Sequence, residues 1–299
     1  MAILLYSLVN TLPDLIMKKS LDFSKSLEYF FQLKDWQNRS MFFGGILVAS
    51  IVVYMFLILS MLIPVIGIFI YCAGIVVMAL LAILFVFYMN GYKVLVAQAV
   101  MNHKSVEEIK VAADWGARIS VGFKLAMANL VYYLPTYFIY FLGFLIMFVP
   151  LLLNPTNRTS SYSYNGVGYD DQQFGLFMVA TIIYYCLLCI AWVVQMVTEY
   201  FVFPMQMAVF LKDQKFSTAV SPSGLINFWK RNSKNILLLG LLLFAMSIAF
   251  IIVVGVSVLT LFLCVGIILL PVVYAVGFTY MLHLQAHLVG SLAKHDKEN

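Results

Sequence analysis

The chain has 299 residues, of which 64% are hydrophobic and only 10% are charged, with a formal net charge of +5. A soluble domain carries about 25% charged residues, so a chain this poor in charge cannot cover a globular surface in water. The composition excludes a soluble globular protein and predicts an integral membrane protein.

Four long stretches contain no charged residue: Met41–Tyr92, Leu125–Asn157, Gln172–Thr198 and Asn235–Ala293. A membrane-spanning helix needs roughly 20 apolar residues, so the first and last stretches each hold two spans and the middle two hold one each. We predict an all-α membrane protein with six transmembrane helices in three hairpins. The predicted spans are Met41–Leu62, Ile66–Tyr88, Ala126–Leu151, Phe174–Val197, Ile236–Leu259 and Ile267–His287.

The segment before the first span has the pattern of an amphipathic helix. Its apolar face carries Phe23, Leu27, Phe30 and Phe31, and its polar face carries Lys25, Glu28, Gln32 and Asp35. This spacing predicts a helix that lies in the headgroup plane and leads into the first span.

The middle hairpin has a polar external loop at residues 154–173. It is rich in Ser, Tyr, Asn and Gly, a composition that predicts a flexible loop outside the membrane.

Three polar segments, one before each hairpin, resemble one another. Aligning Trp36 with Trp115 also pairs Arg39 with Arg118, and Trp229 aligns in the third segment. A Trp just before a span suits the aromatic belt at the membrane boundary. One interpretation is a single membrane domain built from three units (20–101, 102–212 and 213–293), each an interfacial amphipathic segment plus a hairpin. The alternative is that any polytopic protein has tryptophans and basic residues at its inner boundary.

The second and third segments are less regular than the first. The second has a weaker amphipathic pattern, with Val106, Ile109 and Ala113 on one face. The third contains Pro222 and Gly224, so we do not expect a single unbroken helix there.

The basic residues predict the orientation. With six spans, seventeen of the eighteen Lys and Arg residues fall on one side and only Arg158 falls opposite. The positive-inside rule assigns that side to the cytoplasm, so we expect both termini to be cytoplasmic. The charge of +5 therefore indicates topology, and no nucleic-acid partner is predicted.

Five short motifs follow one another in the first half of the chain: Lys34–Trp36, Ile63–Gly67, Gly91-Tyr92, Asp114–Gly116 and Gly122–Pro135. In their order and spacing the first 150 residues resemble the bacterial and archaeal membrane family catalogued as domain of unknown function 4013, most clearly over residues 20–150. The second half matches mainly in layout. The resemblance implies a six-helix membrane fold in a bacterial or archaeal inner membrane and no established activity.

Few polar residues lie within the spans, where they are costly and often functional. Glu199 lies at the inner end of the fourth span, where it pairs with a basic residue, gates a pathway or simply lies at the cytoplasmic boundary. Asn129 and Gln195 are amides inside the third and fourth spans, where they either bond across helices or line a cavity.

No catalytic or cofactor motif appears in the sequence. His283 and His287 are four residues apart on one face of the last helix, a spacing that suits a metal, but no further ligand is evident. Cys186 and Cys189 lie in mid-span, where a thiolate is disfavoured and packing is the simpler role. We therefore predict no enzyme activity, no cofactor and no metal.

Our leading hypothesis is a non-enzymatic plasma-membrane protein that scaffolds or assists another membrane system. Its expected partners are the lipid bilayer and either a membrane protein or a second copy of the chain. The alternative is a transporter or channel for a lipid or another weakly charged small molecule.

Overall fold

The structure is a computed structural model that describes residues 23–63, 66–153, 171–260 and 266–298. These residues are mostly helical and include no strand. Within these ranges the α-helices are α1 (Phe23–Gln32), α2 (Trp36–Ser60), α3 (Ile66–Met101), α4 (Trp115–Leu153), α5 (Asp171–Val197), α6 (Phe203–Phe210), α7 (Phe216–Ala219), α8 (Pro222–Leu259) and α9 (Gly266–Glu298). A 3-10 turn at Val106–Glu108 follows α3, and a π-helical turn at Thr198–Val202 joins α5 to α6.

Six helical stretches are long and apolar enough to cross a membrane, which confirms the predicted fold class of a multi-pass helical membrane protein. Several helices are longer than a bilayer requires: α3, α4 and α8 contain 36, 39 and 38 residues. At 1.5 Å per residue, each is about 55 Å long, against a hydrocarbon thickness of roughly 30 Å. Most of the predicted loop 154–173 lies outside the described residues, and its last three residues belong to α5.

The chain divides into two compact units. One contains the residues up to Ala128 together with those from Phe203 onward, and the other is Asn129–Val202. In the first unit α9 contacts α2 and α3, so the first and last hairpins pack together. This division differs from the three sequence units, and the proposed duplication stays a prediction.

The last helix forms the core of the first unit. It contacts α1, α2, α3, α6 and α8. Its C-terminal half is buried at Leu282, Leu284, Ala286, Leu288, Val289, Leu292 and Ala293. By contrast, many large apolar side chains between Ile66 and Val86 in α3 are exposed. Such a surface suits contact with lipid tails, which are as apolar as the side chains.

The predicted first amphipathic helix is present as α1, and much of its apolar face packs against protein. Phe30 is buried, with ring centroids 5.9 Å from Tyr280 and 5.0 Å from His283 in α9. Phe31 stacks on Tyr280 but remains half exposed. The helix therefore covers α9 as well as preceding the first span.

The other two segments differ from the first. The expected amphipathic helix over Val106–Ala113 is wrong, because the only helical residues there form the 3-10 turn. In the third segment Pro222 occupies the first turn of α8, where its missing N–H costs nothing. The Ser221 hydroxyl caps this helix by accepting from the Gly224 backbone N–H at 3.2 Å. The break therefore precedes the proline.

Candidate functional site

A fully buried arginine connects α2 to the segment that follows α3. The Arg39 guanidinium donates to the Asp35 carboxylate at 2.8 Å and to the Tyr92 hydroxyl. It also donates to the backbone carbonyl oxygens of Val106 at 3.1 Å and Ile109 at 3.2 Å. Asp35 is the N-cap residue of α2 and Arg39 lies in its first turn, so the ion pair lies at the start of this helix.

A second buried arginine, Arg118 in α4, holds the same segment from the other side. Its guanidinium donates to the Tyr88 hydroxyl at 2.6 Å and to the carbonyl oxygens of Val111 at 2.6 Å and Lys110 at 2.5 Å. Its central carbon lies 5.5 Å from the ring centroids of Tyr88 and Tyr92. Both tyrosines belong to α3, so α3 positions both arginines.

We call residues 102–114 the clamped segment, because the two arginines together bind four of its carbonyl oxygens. Hydrogen bonds from charged donors are roughly twice as strong as neutral ones. The carbonyl of Val106 also accepts from the Ile109 backbone N–H at 3.0 Å, in the 3-10 turn. Val106 is buried beneath the segment. Its charged side chains are exposed: Lys104, Glu107, Glu108, Lys110 and Asp114.

The close crossing of α3 and α4 brings the second arginine within reach of its tyrosines. A Cβ on Gly91 would collide with the backbone carbonyl of Arg118, and a Cβ on Gly122 would collide with that of Phe87. Small residues allow membrane helices to approach closely. The two glycines therefore set the distance at which Arg118 contacts α3.

The position three residues after each aligned tryptophan is buried. It is Arg39 in α2, Arg118 in α4 and Asn232 in α8. At the third of these positions α8 is kinked, with φ −121° and ψ 17°. The Asn232 amide donates to the Asp296 carboxylate at 2.6 Å, and Lys212 pairs with that carboxylate at 2.7 Å. The third position thus also joins a helix to a neighbouring segment, through different chemistry.

The three tryptophans predicted as interfacial anchors have different surroundings. Trp115 stacks on Tyr88 with ring centroids 4.2 Å apart, and its indole donates to the carbonyl of Ala112 at 3.2 Å. Trp36 meets the edge of Phe30, and Trp229 is exposed. Their role as membrane anchors stays a prediction.

His283 extends the polar network of the first arginine. Its Nδ1 lies 2.8 Å from the carbonyl oxygen of Thr279, which can only accept, so Nδ1 carries the proton. Its Nε2 therefore accepts from the Tyr92 hydroxyl at 3.0 Å. Since Tyr92 in turn accepts from Arg39, Nε2 connects α9 to α3 and α2, whereas the Nδ1 bond lies within α9.

His287 contacts the first helix. Its Nδ1 lies 2.8 Å from the Ser26 hydroxyl, and its ring lies 4.1 Å from the Tyr29 ring. Burial raises the pKa of the Tyr29 phenol well above its ordinary value.

Cys186 and Cys189 are exposed free thiols in α5. Within the described residues, no three His, Cys, Asp or Glu side chains form a group able to hold a metal.

The polar residues of the middle hairpin form a separate network in the second unit. The Tyr133 hydroxyl donates to Glu199 Oε1 at 2.7 Å, and the Gln195 amide donates to the same oxygen at 3.3 Å. The Tyr140 hydroxyl donates to Gln195 Oε1 at 3.1 Å. These bonds join α4 to α5. The Asn129 Oδ1 is buried and has no hydrogen-bond partner among the described residues.

The residues that form the clamp were not predicted as site residues. The match between Arg39 and Arg118 was visible in the sequence, but it was interpreted as a sign of orientation. Tyr88 and Tyr92 lie four residues apart, on one face of α3. This spacing, together with Gly91 in α3 and Gly122 in α4, was the pattern in the sequence that could have indicated the clamp. Asp296 carried no signal, because its partners are distant in the sequence.

These features define a multi-pass helical membrane protein with a buried arginine clamp at one end of its helices. The family model described as Protein of unknown function (DUF4013) matches residues 76–265, and the chain belongs to this family. The matched range includes the clamped segment and the middle hairpin, whereas Lys34–Trp36 and Ile63–Gly67 precede it. No curated protein and no solved structure gives a significant match.

Proposed function

We propose that this chain is a non-enzymatic scaffold or assembly partner of another membrane protein, and that the clamped segment is its contact surface. The observation that supports this proposal is the arginine clamp. Burying a guanidinium costs several kcal/mol unless it is well bonded. Here the bonds of Arg39 and Arg118 fix the backbone of a segment whose charged side chains are exposed. A preorganised surface of this kind loses less entropy on binding.

The charges of the clamped segment favour a protein partner. Exposed side chains of both signs lie along it, with Lys104 followed by Glu107, Glu108 and Lys110. A nucleic acid or an anionic membrane surface would favour a single positive sign. Mixed charge suits a complementary protein surface, where it specifies the partner and the register.

We also propose that the clamped segment faces the cytoplasm, in the plasma membrane of a bacterium or archaeon. Seventeen of the eighteen basic residues fall on its side of the spans in the six-span topology, and basic residues are retained in the cytoplasm. Both termini lie on that side.

A transporter or channel for a lipid or weakly charged molecule is the second candidate. The chain of hydrogen bonds from Tyr140 through Gln195 to Glu199 supports it, because polar groups between membrane helices often mark a pathway. Against it, the core of the first unit is filled by the leucines and alanines of α9. Flux of a labelled lipid or solute into vesicles containing the purified protein would favour this candidate over the scaffold.

The scaffold role is tested by photocrosslinking in the membranes of the native host. A photoreactive residue replaces Glu107 in the clamped segment, and the control replaces Lys215, which is exposed in another loop. We expect one discrete protein adduct, or an adduct of a second copy, from the first position and not from the second.

The same adduct is then measured in an Arg39→Lys background. Lysine keeps the charge, but a single ammonium cannot reach both carbonyls and the Tyr92 hydroxyl, so the adduct should weaken while expression persists. Identical products from Glu107 and Lys215, or lipid adducts alone, would argue against the scaffold role.

A further inference from the structure

Only one oxygen of the Glu199 carboxylate in the middle hairpin accepts hydrogen bonds among the described residues. Both of its hydrogen bonds, from Tyr133 and Gln195, enter Oε1. Among the described residues, Oε2 accepts no hydrogen bond and the carboxylate forms no ion pair. An ionised carboxylate offers about four acceptor positions on its two oxygens. The remaining capacity of Glu199 is suited to a donor that also carries positive charge.

The backbone is irregular on both sides of this carboxylate. Pro135 in α4 has no N–H to donate to the carbonyl of Val131, and Pro204 has none for the carbonyl of Tyr200. The π-helical turn Thr198–Val202 lies directly before Pro204. In membrane helices such interruptions occur where the backbone lines a polar site, and π-turns are frequent at functional positions.

Three polar side-chain atoms of α4, on residues close to Tyr133 in the sequence, are buried without a hydrogen-bond partner. The Asn129 Oδ1, the Tyr132 hydroxyl and the Thr136 hydroxyl form no hydrogen bond within the described part of the chain, and Thr136 is only 1% exposed. They lie within two turns of one side of α4, over about 10 Å. Each such group costs about 1–3 kcal/mol when unsatisfied. We call Asn129, Tyr132 and Thr136 the polar stripe.

The depth of Glu199 matches that of lipid headgroups. From Phe174, where the predicted fourth span begins, the helix rises about 38 Å over 25 residues to Glu199. The hydrocarbon layer is roughly 30 Å thick. In the six-span topology the carboxylate therefore lies at the boundary opposite Phe174. Tyr137, whose ring lies 5.7 Å from that of Tyr133, is half exposed beside it.

We propose that Glu199 and the polar stripe form a binding site for the amine-bearing headgroup of a phospholipid. The ammonium group donates to Glu199 Oε2 and to the Asn129 Oδ1, which can only accept, and the Tyr132 and Thr136 hydroxyls donate to the phosphate and ester oxygens. An ammonium supplies the charge and the N–H donors that the carboxylate lacks, and the ring of Tyr137 offers a face for it. This site is independent of the clamped segment and of the scaffold role.

The test measures lipid retention by native mass spectrometry on the full chain, purified into micelles with phosphatidylethanolamine or phosphatidylglycerol. We expect wild type to retain phosphatidylethanolamine at least about tenfold better, a difference of about 1.4 kcal/mol. Glu199→Gln keeps the volume and an acceptor for Tyr133 but removes the charge, so this preference should disappear. Glu28→Gln, an exposed change on the polar face of α1, should leave it intact.

Thr136→Val provides a second variant, because valine has nearly the shape of threonine without the hydroxyl. It should weaken phosphatidylethanolamine retention while thermal unfolding shows a folded protein. Free ethanolamine distinguishes a lipid headgroup from a soluble amine. If free ethanolamine stabilises wild type as well as the lipid does, and does not stabilise Glu199→Gln, the site takes a soluble amine. Equal retention of the two lipids by wild type, or an unchanged preference in Glu199→Gln, would overturn the proposal.

Discussion

Replacing Arg39 with methionine tests whether the arginine clamp holds the segment after α3. The substitution keeps most of the aliphatic volume and removes every donor of the guanidinium. Four acceptors then lose the arginine donor: the Asp35 carboxylate, the Tyr92 hydroxyl and the carbonyls of Val106 and Ile109. The Val106 carbonyl still accepts from the Ile109 backbone N–H.

The four losses are unequal. Asp35 is 33% exposed and can be hydrated, so its ion pair contributes at most about 1 kcal/mol. Tyr92 keeps its bond with His283. The two carbonyls lose charge-assisted bonds, each of about 1.5–3 kcal/mol. Arg118 still holds the far end of the clamped segment, so we expect its local opening free energy to fall by about 3 kcal/mol.

Trypsin cleavage after Lys104 measures this opening, because Lys104 is exposed and lies within the clamped segment. When opening and closing are fast, cleavage follows the population of the open form. A change of 3 kcal/mol corresponds to about a hundredfold faster cleavage in Arg39→Met. Arg231→Met removes an arginine that is 60% exposed and should leave the rate unchanged. If Arg39→Met is cleaved no faster than Arg231→Met, the clamp does not stabilise the segment.

Three further predictions follow from the first unit and the topology. Gly91→Ala should destabilise the purified protein by about 1–3 kcal/mol or more, because the new methyl group collides with α4. Gly116 has open space around it, so Gly116→Ala should be neutral or stabilising in thermal unfolding. Equal effects of the two substitutions would refute the close crossing. Asp296→Ala should speed hydrogen exchange in the last turns of α9, since Lys212 loses its buried partner, and an unchanged exchange rate would contradict this. A reporter at Ser161 should be detected outside the cell, and a cytoplasmic signal would reverse the orientation.

Local composition was sufficient to predict the membrane spans. The span Ile66–Tyr88 contains no charge, and any such stretch must leave water regardless of what it packs against. The same residues did not predict that α3 continues to Met101. That extension depends on burial of Val94, Val96 and Ala97, which partners remote in the sequence provide.

The sequence also did not predict the contacts of the candidate site residues. His283 and His287 have the spacing of a metal pair, yet each is held by a different neighbour, Tyr92 in one case and Ser26 in the other. Helical spacing shows only which side chains share a face. Glu199 was predicted at the inner boundary from hydropathy, and its hydrogen bond with Tyr133 depends on how α4 and α5 are aligned.

The sequence by itself determined the class of this protein, because the free energy of placing charge in hydrocarbon is set residue by residue. The six charge-poor spans, and the side of the membrane on which the basic residues fall, could be predicted without knowing any contact. Only the tertiary structure decided what the scarce polar residues do. Arg39 and Arg118 counted merely as positive charges until their guanidinium groups were placed against four backbone carbonyls, and hydrogen bonding depends on distance and direction that no linear pattern records.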